Sequence, residues 1–263
     1  MNVATGDSSV KNSFGYYDPI SKEIMLKRPC SKKSDWDEAL VWLDAALLNG
    51  LNKFSIGIGA VESFVADDSR DGMYLSAREI IKQTVDKSKY SDNEMLSKIL
   101  NKLKGYKDLK NFGLKCFSFS DDDALFELFI SIVKNQNDLV YLDLTGCYFN
   151  NAQLGVLAEV IASSYIAHLV WPEPRVAGDI LNKILVSFEK SMSLVIVRGA
   201  PEEIVNIARK NRDVLFGLIK RPVLISENDI EKLKKYRNSV RLAIGYEKQK
   251  IREMEKTLEG ILV

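Results

Sequence analysis

The stretch LVYLDLTGCYF, residues 139–149, places Leu139, Leu142, Leu144 and Phe149 at positions 1, 4, 6 and 11 of an eleven-residue frame, with Cys147 at position nine. Such a frame is either one buried strand of an ordinary α/β domain or one turn of something that repeats, and a repeat can be searched for. Thirty residues earlier, LKNFGLKCFSF puts Leu109, Phe112, Leu114 and Phe119 in the same four places. Twenty-seven residues later, IAHLVWPEPRV supplies Ile166, Leu169, Trp171 and Val176. Weaker matches flank these. LNKFSIGIGAV offers Leu51, Phe54, Ile56 and Val61, and in SLVIV Leu194 and Ile196 take the two central places. Leu51 lies 58 residues before Leu109, two periods, so one unit there is degenerate or enlarged.

Helical spacing fills the gaps between the strand candidates. AQLGVLAEVIASS carries Leu154, Leu157, Ala158 and Ile161, ALFELFISIVKN carries Leu125, Leu128, Phe129 and Ile132, and ILNKILVSFEK follows the third unit. The Asp and Asn residues of SDDD (120–123) and FNN (149–151) suit helix entry, because their oxygens accept the first free backbone N–H groups. Each unit is therefore a strand followed by a helix, and the fold class is α/β. A conventional α/β domain with parallel strands alternates in the same way, so periodicity alone leaves both architectures open.

On these residues the chain resembles the leucine-rich repeat family, in particular its ribonuclease-inhibitor-like type with a full helix and about 28 residues per unit. LVYLDLTGCYF matches the LxxLxLxxC/N pattern at every signature place. LKNFGLKCFSF departs from it, since Cys116 falls one place early, and the unit from Ile166 has Pro174 where Cys or Asn belongs, which interrupts the ladder that stitches adjacent loops. The resemblance covers about residues 51–200. It implies a leucine-rich-repeat solenoid, with a short curved parallel sheet and helices on the convex side. The implied organisation is an N-terminal cap over 1–50, irregular repeats over 51–220 with an insertion at about 62–92, and a C-terminal helical cap or partner helix over 221–263.

The ends fit that organisation. SFGYYDPISKEIMLKRP reads as two strands around the Asp18-Pro19 turn, followed by a helix from about Asp35 to Leu48 carrying Trp36, Leu40, Leu43 and Leu47. From Ser226, an N-cap candidate, to Leu262 there is no Pro, and a heptad frame aligns Ile230, Leu233, Val240, Ile244, Ile251, Met254, Leu258 and Ile261. A long helix, or a pair broken near Gly245, is expected. It either caps the last repeat, which exposes a core face, or binds a partner or a second copy.

Composition narrows the function classes. The 46% hydrophobic content of 263 residues supports a sizeable core, and 37 basic residues against 36 acidic ones leave no long-range field to attract nucleic acid or an anionic membrane. Three cysteines without CxxC spacing and a single histidine, His168, argue against a zinc site and suit a reducing cytosol. The polar start, MNVATGDSSVKNS, has no secretory signal, and ALVWLDAALL is too short to span a bilayer and is broken by Asp44. There is no GxxxxGK[ST], HExxH or GxSxG, so neither an enzyme nor a cofactor is expected. Cys147 occupies a structural place, Cys116 could sit at the rim beside Lys115, and the three consecutive carboxylates of SDDD cannot all address one ion.

What remains is binding. In a sheet of this type the residues between the consensus apolar places share one face: Lys53 and Ser55, then Lys110, Asn111, Gly113 and Lys115, then Val140, Tyr141, Asp143 and Thr145, then His168, Val170 and Pro172, and finally Val195 and Val197. The expected protein-binding site is Tyr141, His168, Asp143, Lys115, Asn111 and Val170, with Tyr141 and Asp143 exposed. The partner is another protein, with no nucleic acid and no membrane span involved. The resemblance implies an inhibitor or adaptor that regulates an enzyme. Short, low-cysteine versions are also similar to effectors that intracellular bacterial pathogens inject into host cells, so the expected location is cytoplasmic, in the producing cell or in a host. The rival readings are an assembly protein dimerising through its C-terminal helix and a hydrolase on an unrecognised α/β fold.

Overall fold

The computed structural model describes residues 10–12, 15–28, 33–58, 93–172, 176, 178–220 and 226–262. Among them, eight strands form one sheet in chain order. These are β1 (Val10–Asn12), β2 (Gly15–Asp18), β3 (Glu23–Arg28), β4 (Lys53–Ile58), β5 (Asn111–Leu114), β6 (Tyr141–Asp143), β7 (His168–Val170) and β8 (Ile196–Arg198). β1, β2 and β3 pair antiparallel, and every pairing from β3 to β8 is parallel. The helices are α1 (Lys33–Leu48), α2 (Asn93–Leu103), α3 (Asp123–Asn135), α4 (Asn151–Ser163), α5 (Gly178–Phe188), α6 (Glu202–Lys220), α7 (Glu227–Lys235) and α8 (Arg237–Leu262). Because each parallel strand is joined to its immediate neighbour through a helix, the strand order never reverses.

The register carries the repeat found in the sequence. Ile24, Phe54, Phe112, Leu142, Leu169 and Val197 form one cross-strand row and Leu26, Ile56 and Leu114 the next, all facing the helices. Leu142, Leu144 and Leu169 are fully buried. Phe119, Phe126, Phe129 and Phe149 interlock beyond the strand ends, with the Phe119 and Phe149 rings stacked at 4.9 Å.

Polar side chains stitch consecutive units. Cys147 donates its thiol to the carbonyl of Leu114 at 3.1 Å, the structural task expected of its place. Asn150 caps α4 in a reciprocal box with Gln153, which also donates to the Phe119 carbonyl and the Asp123 carboxylate. Asp122 caps α3 through Leu125 N–H, so SDDD is a helix start. Gly146 has φ +67, and a Cβ there would meet the Cys116 sulfur at 3.0 Å. Cys116 itself has φ +62 and is buried, not at the rim, because the turn folds it inward to donate its N–H to the Thr145 carbonyl.

At the N-terminal end the expected hairpin is present. The Asp18 carboxylate accepts from Ile20 N–H and the Ser21 hydroxyl, closing the turn around Pro19. The hairpin is continuous with the parallel sheet through β3, and α1 buries Ala39, Trp42, Leu43 and Ala46 against it. The insertion at 62–92 and Pro174 lie outside the described residues.

Two further expectations are corrected at the C-terminal end. The C-terminal helices break at Tyr236, whose φ of −103° and ψ of 32° end α7, and not at Gly245, which lies inside α8 in open space. The break turns α8 so that Ser239 and Ala243 are buried and Ser239 donates to the Ser193 carbonyl. The contact stripe runs through Tyr236, Ser239, Val240, Leu242 and Ala243, so of the heptad seam Val240 packs while Ile230 and Ile251 are exposed, and the side chains of Met254, Leu258 and Ile261 lie outside the described residues. α8 packs on α6 and, with Leu215, covers Val140, Ala167 and Val195 just ahead of strands β6 to β8. The second correction is the register of the last unit. Leu194 takes the first consensus place, and Val197 pairs with Leu169, so Val197 faces the helix layer and Val195 is buried under the C-terminal helices. The shift is of three places, and any odd shift moves every side chain to the other face, so Ile196 and Arg198 stand where the valines were expected.

Candidate protein-binding surface

The face of the sheet opposite the helices carries two cross-strand rows. Lys53, Asn111, Tyr141, His168 and Ile196 are neighbours in one, and Ser55, Gly113, Asp143, Val170 and Arg198 in the other. Gly113 keeps the second row low: a Cβ there would meet Ser55 Cβ at 3.1 Å and Asp143 Cβ at 3.6 Å.

Asp143 is the hub. Its Oδ1 accepts from the Thr145 backbone N–H at 3.0 Å and hydroxyl at 2.6 Å, while its Oδ2 accepts from the Tyr141 hydroxyl at 3.3 Å and faces Lys115 Nζ at 3.4 Å. The expected exposure of Asp143 is thus corrected: at 3% accessible it is drawn down into the sheet by these donors. Val170, expected as a contact residue, is also buried, at 5%. In its row Val170 stands between Asp143 and Arg198, on strands about 4.8 Å away on either side.

Tyr141 and His168 meet edge to face, ring centroids 4.7 Å apart and planes at 87°. Both are half-buried, as are Asn111 and Lys115. His168 Nε2 is buried without a hydrogen-bond partner. Burial, reinforced by the Arg198 charge and opposed by Asp143, pushes the His168 pKa down to about 4, so its ring is neutral near pH 7.

The fold therefore brings together Tyr141, His168, Asp143 and Lys115, with Asn111 beside Tyr141 in its row and Val170 beneath the surface. Val140, also placed on this face by spacing, faces the C-terminal helices. Arg198 and Ile196 were missed, and the alternation in VIVRG would have revealed them once Leu194 was aligned with Ile166. Burial raises the Cys147 thiol well above its ordinary pKa, which removes it as a nucleophile. Among the described residues no group of three or more His, Cys, Asp or Glu could hold a metal ion, and no helix is long and apolar enough to cross a membrane.

No protein-family model matches the sequence, and no curated protein matches it.

Proposed function

We propose that the chain is a leucine-rich-repeat solenoid of the ribonuclease-inhibitor-like type, working as a protein-binding module through the face opposite its helices. The observation that carries this reading is the Tyr141–His168 pair standing over a hydrogen-bonded Asp143 hub. An aromatic anchor whose neighbours are already fixed loses little side-chain freedom on binding, and aromatic and arginine side chains dominate interface energetics. Tyr141 and Arg198 supply both types on adjacent rows. The chain acts by occupying another protein, as an inhibitor or adaptor, without chemistry of its own.

The test is affinity capture with the wild-type chain and a Tyr141→Ala/His168→Ala variant, followed by quantitative binding to the captured protein. The variant is expected to bind at least about tenfold more weakly, roughly 1.4 kcal/mol, with an unchanged circular dichroism spectrum. Equal affinity would move the site off this face, first to residues 62–92 and then to the C-terminal helix.

A further inference from the structure

The chain is close to neutral, with 37 basic and 36 acidic residues, yet the fold does not spread these charges evenly. The repeat helices begin at the rim where the parallel strands end and finish at the rim where they begin. Acidic residues gather in first turns, as Asp123, Asp179, Glu202 and Glu203, while α2 and α3 close on Lys102 and Lys134, which suits the partial charges of helix ends. At the strand-entry rim, residues 104–110, 134–140 and 164–167 and the α7–α8 junction at 234–239 are all described. Their exposed cations are Lys104, Lys107, Lys110, Lys134, Lys235 and Arg237, with Lys234 already paired to Glu231 at 2.8 Å. Among the described residues those six cations form no ion pair, and Asp108 and Asp138 are the carboxylates of the same segments.

These segments are fixed side by side. Gln136 accepts from Leu109 N–H at 3.0 Å and donates to the Tyr106 carbonyl, and the Tyr106 hydroxyl donates to the Leu51 carbonyl at 2.7 Å. Val140 N–H donates to the Lys110 carbonyl at 2.8 Å and Ala167 N–H to the Val140 carbonyl at 2.9 Å, so Lys110, Val140 and Ala167 stand in line. α8 covers Val140 and Ala167, and Lys110 continues the line in the open. Beside it, Asn137, Asp138 and Tyr165 face Lys235, Tyr236 and Arg237 across a pocket of about 210 Å³. We propose that this rim is a second docking surface, taken by an acidic segment of a partner protein that lays spaced carboxylates across the lysines and sets one side chain into the pocket. Carboxylates arriving here break no existing ion pair, and the backbone beneath the lysines is already ordered, which lowers the cost of binding. Asp108 and Asp138 select the class of partner. A nucleic acid or an anionic bilayer presents charge at dense, regular intervals and meets both aspartates, whereas a peptide can set neutral residues opposite them.

The test titrates the full chain into a fluorescent peptide of repeated Glu-Ser-Gly, with repeated Lys-Ser-Gly, oligothymidine, and vesicles of phosphatidylcholine and phosphatidylserine in equal parts as comparisons. The Glu-Ser-Gly peptide is expected to bind saturably, and roughly tenfold more weakly as salt rises from low to physiological strength. Lys107→Glu/Lys134→Glu should weaken it roughly tenfold. Lys183→Glu/Lys210→Glu, which reverses two exposed charges on α5 and α6, should change it by less than about twofold. All four lysines are exposed, so each variant should keep the wild-type circular dichroism spectrum. Tyr141→Ala/His168→Ala should leave the peptide's affinity in place, which separates this surface from the sheet face: loss of either one says nothing against the other. The proposal is overturned if the acidic peptide does not bind saturably, or if the two pairs of reversals weaken it equally. It is also overturned if oligothymidine or the vesicles bind more tightly through Lys107 and Lys134, which would give the rim to that class of partner instead.

Discussion

Leu142 and Asp143 are neighbours on one strand and both are buried, yet different physics buries them. Leu142 points into the helix layer, in a row running from Ile24 to Val197, and its place is held by apolar area removed from water. Asp143 points the other way and is held by four donated or ionic contacts from Thr145, Tyr141 and Lys115. The first face asks only for apolar residues that fill the space, and its row runs Ile24, Phe54, Phe112, Leu142, Leu169 and Val197. The second depends on particular atoms at particular heights. That contrast separates the face that builds the molecule from the face available to do something.

Both faces can be broken deliberately. Leu142→Asp puts an unpaired carboxylate in the helix layer, costs several kcal/mol, and should abolish the cooperative thermal transition followed by circular dichroism. Removing the chain after Arg221 uncovers Val140, Ala167, Val195 and Leu215. Aggregation or a broadened transition by light scattering and calorimetry is the expected result, and a soluble, equally stable truncation would show that α7 and α8 are not a cap.

Effects on the opposite face should be smaller. Asp143→Ala leaves the Thr145 and Tyr141 donors without their acceptor and half-buried Lys115 without its carboxylate, and should cost about 2 kcal/mol, measured by urea denaturation, with Leu142-type collapse absent. His168 adds a pH signature. Its folded pKa of about 4 lies below the ordinary 6.5, so the unfolded chain takes up a proton first as pH falls. The stabilisation it provides is complete above pH 6.5 and is lost between 6.5 and 4, by up to about 3 kcal/mol. The difference in stability between wild type and His168→Gln should follow that window, and a difference independent of pH would contradict the buried neutral ring. The smallest effect is expected from Tyr141→Phe, which deletes one 3.3 Å hydrogen bond and should cost under about 1 kcal/mol by the same denaturation. A larger loss would make Tyr141 part of the building face.

The parallel strand–helix order was legible from the 1, 4, 6, 11 frame because burial against helices demands apolar residues at fixed heights, and composition is enough to reveal them. Asp122 and Asn150 as caps and Cys147 as a stitch were legible for the same reason: each satisfies backbone groups within or next to its own unit. The C-terminal break was not. Gly245 is the weak helix former of that stretch, but contact with Ser193 decides where the chain bends, and propensity carries no record of a contact 46 residues away.

On the candidate surface the sequence by itself selected Tyr141, His168, Lys115 and Asn111, since alternation decides which side chains leave the helix layer. It did not show that Asp143 sinks while Tyr141 stays half exposed, because that depends on hydroxyl and ammonium groups meeting across adjacent strands. Nor did it place Arg198 beside His168. In SLVIVRG every alternate register presents apolar residues inward, and only pairing with β7, His168 opposite Ile196 and Val170 opposite Arg198, chooses between them. Local patterns are set by burial that each residue experiences alone, whereas charge, depth and register are set by neighbours that the chain brings together only on folding.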